Sequence, residues 1–182
     1  LPGAFNRENA QTAQAALKTL FAAKPAVYAA ALKGFARVAW PGRFQRVGRF
    51  LVDGAHNPPA AHALADALRE DFPHARFELV AGFCADKDSE TVLRILAPFV
   101  ARAFAVKTSS PRSLPAEETA ARMRAAGLDA RPLPSLSAAL AATRGPALVC
   151  GSLFLAGEAL VELGALPRPA AVPPLSEQLK PS

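Results

Sequence analysis

The chain has 182 residues, 51% hydrophobic and 20% charged, a balance that suits one folded domain with some added material and excludes a disordered polymer. The net charge of +6 fits a basic surface, but the 11 Phe, 1 Tyr and 1 Trp form no stripe among the basic residues, so a nucleic-acid partner is not expected. No apolar run approaches the ~18 residues that span a bilayer.

The opening "LPGAFNRENA" has neither the basic start nor the apolar core of a signal peptide. Cys84 and Cys150 lie far apart, each ending an apolar run. They read as buried thiols in a reducing compartment, so the cytoplasm is the expected location.

Residues 7 to 22 carry Ala10, Ala13, Leu17, Leu20 and Phe21 at helical spacing. Pro25 starts a second helical stretch, "AVYAAALKGF", that should end near Gly34. The glycine-containing "WPGRFQRVGR" then reads as a hairpin or bend feeding a central strand, "FLVDGA". Pro58 and Pro59 begin a helix running to about Asp71. Strand-like and helix-like segments alternate from there: strand 75–83, helix 89–100, strand 102–108, helix 115–127, the short strand "LDARPL", the helix "SLSAALAATR", strand 146–152 and helix 153–164. This alternation predicts an α/β fold, a mostly parallel, Rossmann-like open sheet with helices on both faces. The remaining residues, 166–182, are proline-rich and read as a loose tail.

The stretch "FLVDGAHNPPAAHALADAL" places Asp53, His56 and Asn57 between a strand end and a helix start. Ligands bind at that rim of open parallel sheets, and helix N-termini favour anions. Each residue also has an ordinary role: Asp53 accepting backbone hydrogen bonds in a turn, His56 as a satisfied surface or core histidine, Asn57 as an N-cap. Arg43 lies near enough in sequence to meet Asp53 if the chain folds back; its planar fork suits phosphate or carboxylate oxygens, or a surface ion pair. Lys87 could bring charge to the same cleft or pair with Asp86 and Asp88, while Asp88 or Ser89 caps the next helix. His62 and Asp66 share a helix face at i,i+4 and read as a solvated pair. The three histidines, at 56, 62 and 74, are scattered, and no metal ligands are expected.

Together, "WPGRFQ" and "LVDGAHNPPAAHALADAL" resemble the carboxy-terminal domain of the folylpolyglutamate synthase/dihydrofolate synthase family, within the Mur ligase superfamily. "LPGAFNRENAQTAQAAL", "AGFCADKD" and "LVCGSLFLAGE" are similar to further motifs of that family and occur in the expected order. One departure is Phe5-Asn6, where the family frequently has His-Gln.

The resemblance implies an ATP-dependent ligase that activates a folate or dihydropteroate carboxylate as an acyl phosphate, which the amine of L-glutamate then attacks. A Mur-type ligase with another amino acid acceptor, or a non-catalytic binding module, is the alternative. The resemblance implies nucleotide-binding roles for Asn9, Arg43 and Asp53 and glutamate-binding roles for His56 and Ser152, and it assigns no residue to the catalytic step. It also implies a division into residues 1–35, the end of a preceding central domain and linker helices, and 36–165, the carboxy-terminal domain. The sequence contains no G-x-x-x-x-G-K-[ST]. ATP with Mg2+ is therefore expected to be held largely by an ATPase domain of the same polypeptide, and these residues are not expected to turn over substrate alone.

Overall fold

The computed structural model describes residues 4–35, 37–38 and 40–167. The predicted tail over 166–182 thus lies outside the described residues, apart from Leu166 and Pro167.

Helix α1 (Ala4–Leu20) begins before Arg7, and helix α2 (Pro25–Phe35) starts at the predicted proline. The added first turn of α1 carries Phe5, whose ring meets Phe44 edge-on with centroids 6.2 Å apart. Strands β1 (Gln45–Val47) and β2 (Phe50–Val52) form the predicted hairpin. Its turn uses Gly48 at φ +58, a conformation that hairpin turns demand and side chains resist.

Helix α3 (Pro58–Asp71) follows, capped by the Asn57 side chain, which accepts the Ala60 N–H at 2.9 Å. Then come strand β3 (Phe77–Ala81), helix α4 (Ser89–Leu96), strand β4 (Val100–Ala105) and helix α5 (Ala116–Ala125). Strand β5 (Ala130–Pro132), helix α6 (Leu136–Ala142), strand β6 (Ala147–Cys150) and helix α7 (Leu153–Glu162) complete the order. The helix expected over 89–100 stops early: Ala97–Phe99 tighten into a 3-10 turn around Pro98, so β4 starts at Val100 and ends at Ala105, not at 108. Asp88 is the cap of α4, accepting the Thr91 N–H at 3.1 Å.

The sheet has six strands in the order β1-β2-β6-β3-β4-β5; every pair is parallel except the β1–β2 hairpin. Strand β2 is therefore interior but not central; β6 and β3 hold the middle. Alternate residues of β6 serve two cores. Leu148 and Cys150 pack with the residues of α3, α4 and α5, while Ala147 and Val149 pack with those of α6 and α7. Period-two alternation thus sorts each strand's side chains onto two helical layers, which is why the strands read as unbroken apolar runs. Each fully buried Leu, Val or Phe contributes roughly 1.5–3 kcal/mol, so these layers fix the strand ends on which the site is built.

Near the amino end of β3, Glu78 is buried and accepts the backbone N–H groups of Arg144 and Gly145 as well as the Arg102 guanidinium. Burial pushes its carboxyl up, but these donors outweigh it and hold the group below the ordinary carboxylate range.

Candidate functional site

Strands β2 and β3 lead into α3 and α4 on one face, whereas β6, lying between them, leads into α7 on the other. Neighbouring chains that leave a sheet in opposite directions open a crevice at its carboxyl rim. Here the crevice is a cavity of about 160 Å³, lined by His56 from the β2 exit, Cys84 and Lys87 from the β3 exit, and Ser152 and Phe154 from the β6 exit. Arg112, from the connection after β4, completes it.

Backbone ties hold the rim in register beyond the strands. Asp53 donates its N–H to Val149 O at 2.9 Å, and Gly151 donates to Ala55 O at 2.8 Å. Gly151 sits at φ +105, and a Cβ there would lie 2.9 Å from Gly82 O and 3.0 Å from the Phe83 ring. Only glycine lets these two strand exits approach so closely.

His56 Nδ1 lies 2.8 Å from Gly54 O. A carbonyl only accepts, so Nδ1 carries the proton, and in the neutral form of the ring the lone pair is on Nε2. Ser152 is the N-cap of α7; its Oγ accepts the Phe154 N–H at 3.1 Å, which leaves the hydroxyl proton for another acceptor. Asp86 bridges two cations, Lys87 Nζ at 3.2 Å and an Arg112 nitrogen at 3.1 Å. The Lys87 hydrogen bond is the main reason the Asp86 carboxyl stays below its ordinary range.

Asn9 and Arg43 do not reach that cavity. They line a second one, of about 560 Å³, with Phe5, Phe35, Trp40 and neighbouring residues of α1. Its walls are mostly apolar, with the two amides of Asn6 and Asn9 and one guanidinium among them, and its volume falls in the ~300–1,000 Å³ range usual for small-molecule sites. Such a combination of apolar walls, amides and a cation suits a flat ring with a polar edge and an anionic substituent.

Asp53 lies between the two cavities and lines neither, being only 3% exposed. Its Oδ2 accepts the Phe44 N–H and its Oδ1 the Ala55 N–H, both at 2.8 Å. Burial pushes its carboxyl up, and the two N–H groups, Arg43 and His56 offset only part of that. The turn-type bonding thus describes its contacts, and through them it clamps the residue after Arg43 and the residue before His56. Gly54 adds a further tie to the same loop, donating to Gly42 O at 2.8 Å. Phe44 adopts φ +49, a left-handed backbone that a bulky residue keeps only when its surroundings enforce it. Beneath the rim, burial and the nearby Asp53 push the Cys150 thiol up, so it stays protonated and inert.

One pairing differs from expectation, and one lining residue was not anticipated. Asp66 bonds Arg69 at 2.6 Å, one helical turn on, instead of His62. Arg112 went unread, because "TSSPRS" after a strand looks like an ordinary polar loop. The usable signal was its place, directly past a parallel strand and so on the same rim as Asp53 and Ser152. Among the described residues no group of three or more His, Cys, Asp or Glu could hold a metal ion, and no helix is long and apolar enough to cross a membrane.

The fold is that of an open, mostly parallel α/β domain, and comparison with known proteins gives its family. Residues 42–153 match the family model of the Mur ligase, glutamate ligase domain, and the chain belongs to that family. It is 36% identical over 90 residues to the dihydrofolate synthase/folylpolyglutamate synthase of Mycobacterium tuberculosis, covering 48% of this chain and 18% of that protein. The M. tuberculosis folylpolyglutamate synthase, solved with ADP and AMPPCP, superposes with a TM-score of 0.78 at 29% identity, over 92% of this chain and 42% of its own. A bifunctional folylpolyglutamate synthase/dihydrofolate synthase with Mn, AMPPNP and L-glutamate bound gives 0.59 at 26% identity, over 69% and 32% of the two chains. The chain thus spans less than half the length of these relatives.

Proposed function

We propose that this chain is the carboxy-terminal domain of an ATP-dependent ligase that joins L-glutamate to dihydropteroate or folate in the cytoplasm. On this reading residues 1–35 close a preceding domain, and an ATPase domain of the same polypeptide meets the rim. What supports it most is the arrangement around Asp53. One buried carboxylate fixes the Arg43 loop beside a base-sized cavity and the His56 turn beside a cavity sized for a small zwitterion.

In this scheme the Asn9 amide pairs with a base edge and Trp40 lies against the base. Arg43 presents its fork to phosphate oxygens. Asp53, buried and lining neither cavity, acts through the Phe44 N–H, which holds the loop that carries that fork. Ser152 donates its hydroxyl proton to a carboxylate of the incoming glutamate, and His56 Nε2 accepts a proton from its ammonium. ATP with Mg2+, when bound, supplies the phosphoryl group that activates the acceptor's carboxylate. The chain's own part is to bind, orient and discharge charge.

Trp40 is the single tryptophan of the chain and lines the proposed nucleotide cavity, so its emission reports occupancy directly. Titration with ADP is expected to change Trp40 fluorescence saturably, and Arg43→Ala to weaken binding roughly tenfold or more, the scale of one charge-assisted phosphate contact. An emission unmoved by ADP, or an Arg43→Ala chain that binds ADP as the parent does, would refute the reading.

A further inference from the structure

Arg112 lines the switch-point cavity with His56, Lys87 and Ser152, and the chain holds its loop firmly. Ala85 donates its N–H to Arg112 O and Leu114 to Phe83 O, both at 2.8 Å, and Cys84 pairs with Ser113 as an antiparallel bridge. From the other side, Ser109 donates both its N–H (2.9 Å) and its hydroxyl (2.5 Å) to Glu158 of α7. Ser110 Oγ accepts the Arg112 N–H at 3.3 Å and lies 3.6 Å from Cys84 Sγ. The connection after β4 is thus stitched to the β3 exit and to α7, with its arginine on the cavity wall.

The guanidinium itself is only lightly engaged. One N–H group meets Asp86 Oδ2 at 3.1 Å; among the described residues Nε and Nη2 have no protein acceptor, and the side chain is 61% exposed. Asp86 is shared with Lys87, so one acid faces two cations and a positive charge is left over beside the cavity. A simple amino acid carries one carboxylate and one ammonium, which Ser152 and His56 already answer in the scheme above. The surplus fork has work to do only if the ligand brings a second carboxylate.

We infer that Arg112 recognises the side-chain carboxylate of the incoming amino acid and makes the cavity selective for a dicarboxylic amino acid over its neutral amide. This rests on the preceding proposal that the cavity receives an amino acid. A planar fork on a stiff mount pairs with a carboxylate bidentately, whereas a neutral amide supplies one acceptor and no charge.

The test compares L-glutamate with the isosteric L-glutamine, binding to this chain by calorimetry or ligand-observed NMR. The parent chain is expected to prefer L-glutamate roughly tenfold, the scale of a charge-assisted hydrogen bond. Arg112→Ala should bind L-glutamine as before and lose the preference, and Arg112→Lys should keep part of it. A merely structural Arg112 would shift the urea midpoint and leave the ratio alone. Should Arg112→Ala not fold, Arg112→Gln, which removes the charge but keeps a donor for Asp86, reads the same ratio. An unchanged ratio in the neutral variant overturns the inference and leaves the proposed function standing. A parent chain that binds neither amino acid overturns both.

Discussion

The two cavities are built in opposite ways. The smaller one stands on the ends of β2, β6 and β3, strands whose residues are buried throughout, and its loops are cross-tied by backbone hydrogen bonds. The larger one is walled by α1, by the end of α2 and the chain beyond it, and by the Gly42–Phe44 turn; α2 has no buried residue, and Trp40 is 69% exposed. The backbone of the first is set by the core and by its cross-ties. The second depends on a docked helix and on one clamped loop, so its geometry is the easier to lose.

Gly151→Ala breaks the comparison from the rigid side. Its new Cβ meets Gly82 O and the Phe83 ring on a left-handed backbone, and we expect a loss of roughly 3 kcal/mol, read as a lowered urea midpoint. The smaller cavity should be deformed, while any fold that remains keeps the Trp40 response to ADP.

Asp53→Asn strikes both cavities at their shared clamp. An amide has one acceptor oxygen where the carboxylate uses two, so a buried N–H loses its partner at a cost of about 2 kcal/mol. The pH dependence carries a sign. Because the folded chain raises the Asp53 carboxyl above its ordinary 3.8, the native state holds that proton more tightly. The contribution is full below 3.8 and is lost as pH climbs through the folded value. The stability gap between parent and variant should therefore be widest in acid and narrow as pH rises; a gap that widens instead would contradict the burial described for Asp53.

Phe5→Ala acts on the soft side alone. Removing the ring that meets Phe44 should cost about 1 kcal/mol and weaken ADP binding, and the preference between L-glutamate and L-glutamine should not move. Equal damage to both binding reactions would show that the cavities are not separable in this way.

The chain order of strands and helices was legible because each amphipathic or apolar run is bounded by a proline, a glycine or a cap residue, as at Asn57 and Pro58. The insertion of β6 between β2 and β3 was not legible, since local periodicity says nothing about which strands pair. That insertion is what brings Ser152 beside His56. The bonding of Asp53 was hidden for a related reason: it requires Phe44 to adopt a left-handed backbone, and no propensity marks a phenylalanine for that. Arg112 escaped because its importance comes from the mounting of its loop, which lies in contacts far apart in sequence, such as Ser109 with Glu158.

The rings of Phe5, Phe44, Phe72 and Phe77 form a continuous series with centroid separations of 6.2, 6.2 and 5.6 Å, running from the first turn of α1 to β3. Contacts of this kind resist separation because they exclude water, yet they impose little penalty on sliding or swivelling, having few directional bonds to break. Beside them, the exposed Arg7–Glu70 pair adds at most about 1 kcal/mol of restraint. The wall that Asn9 contributes to the larger cavity thus stands on ring packing at the first turn of α1.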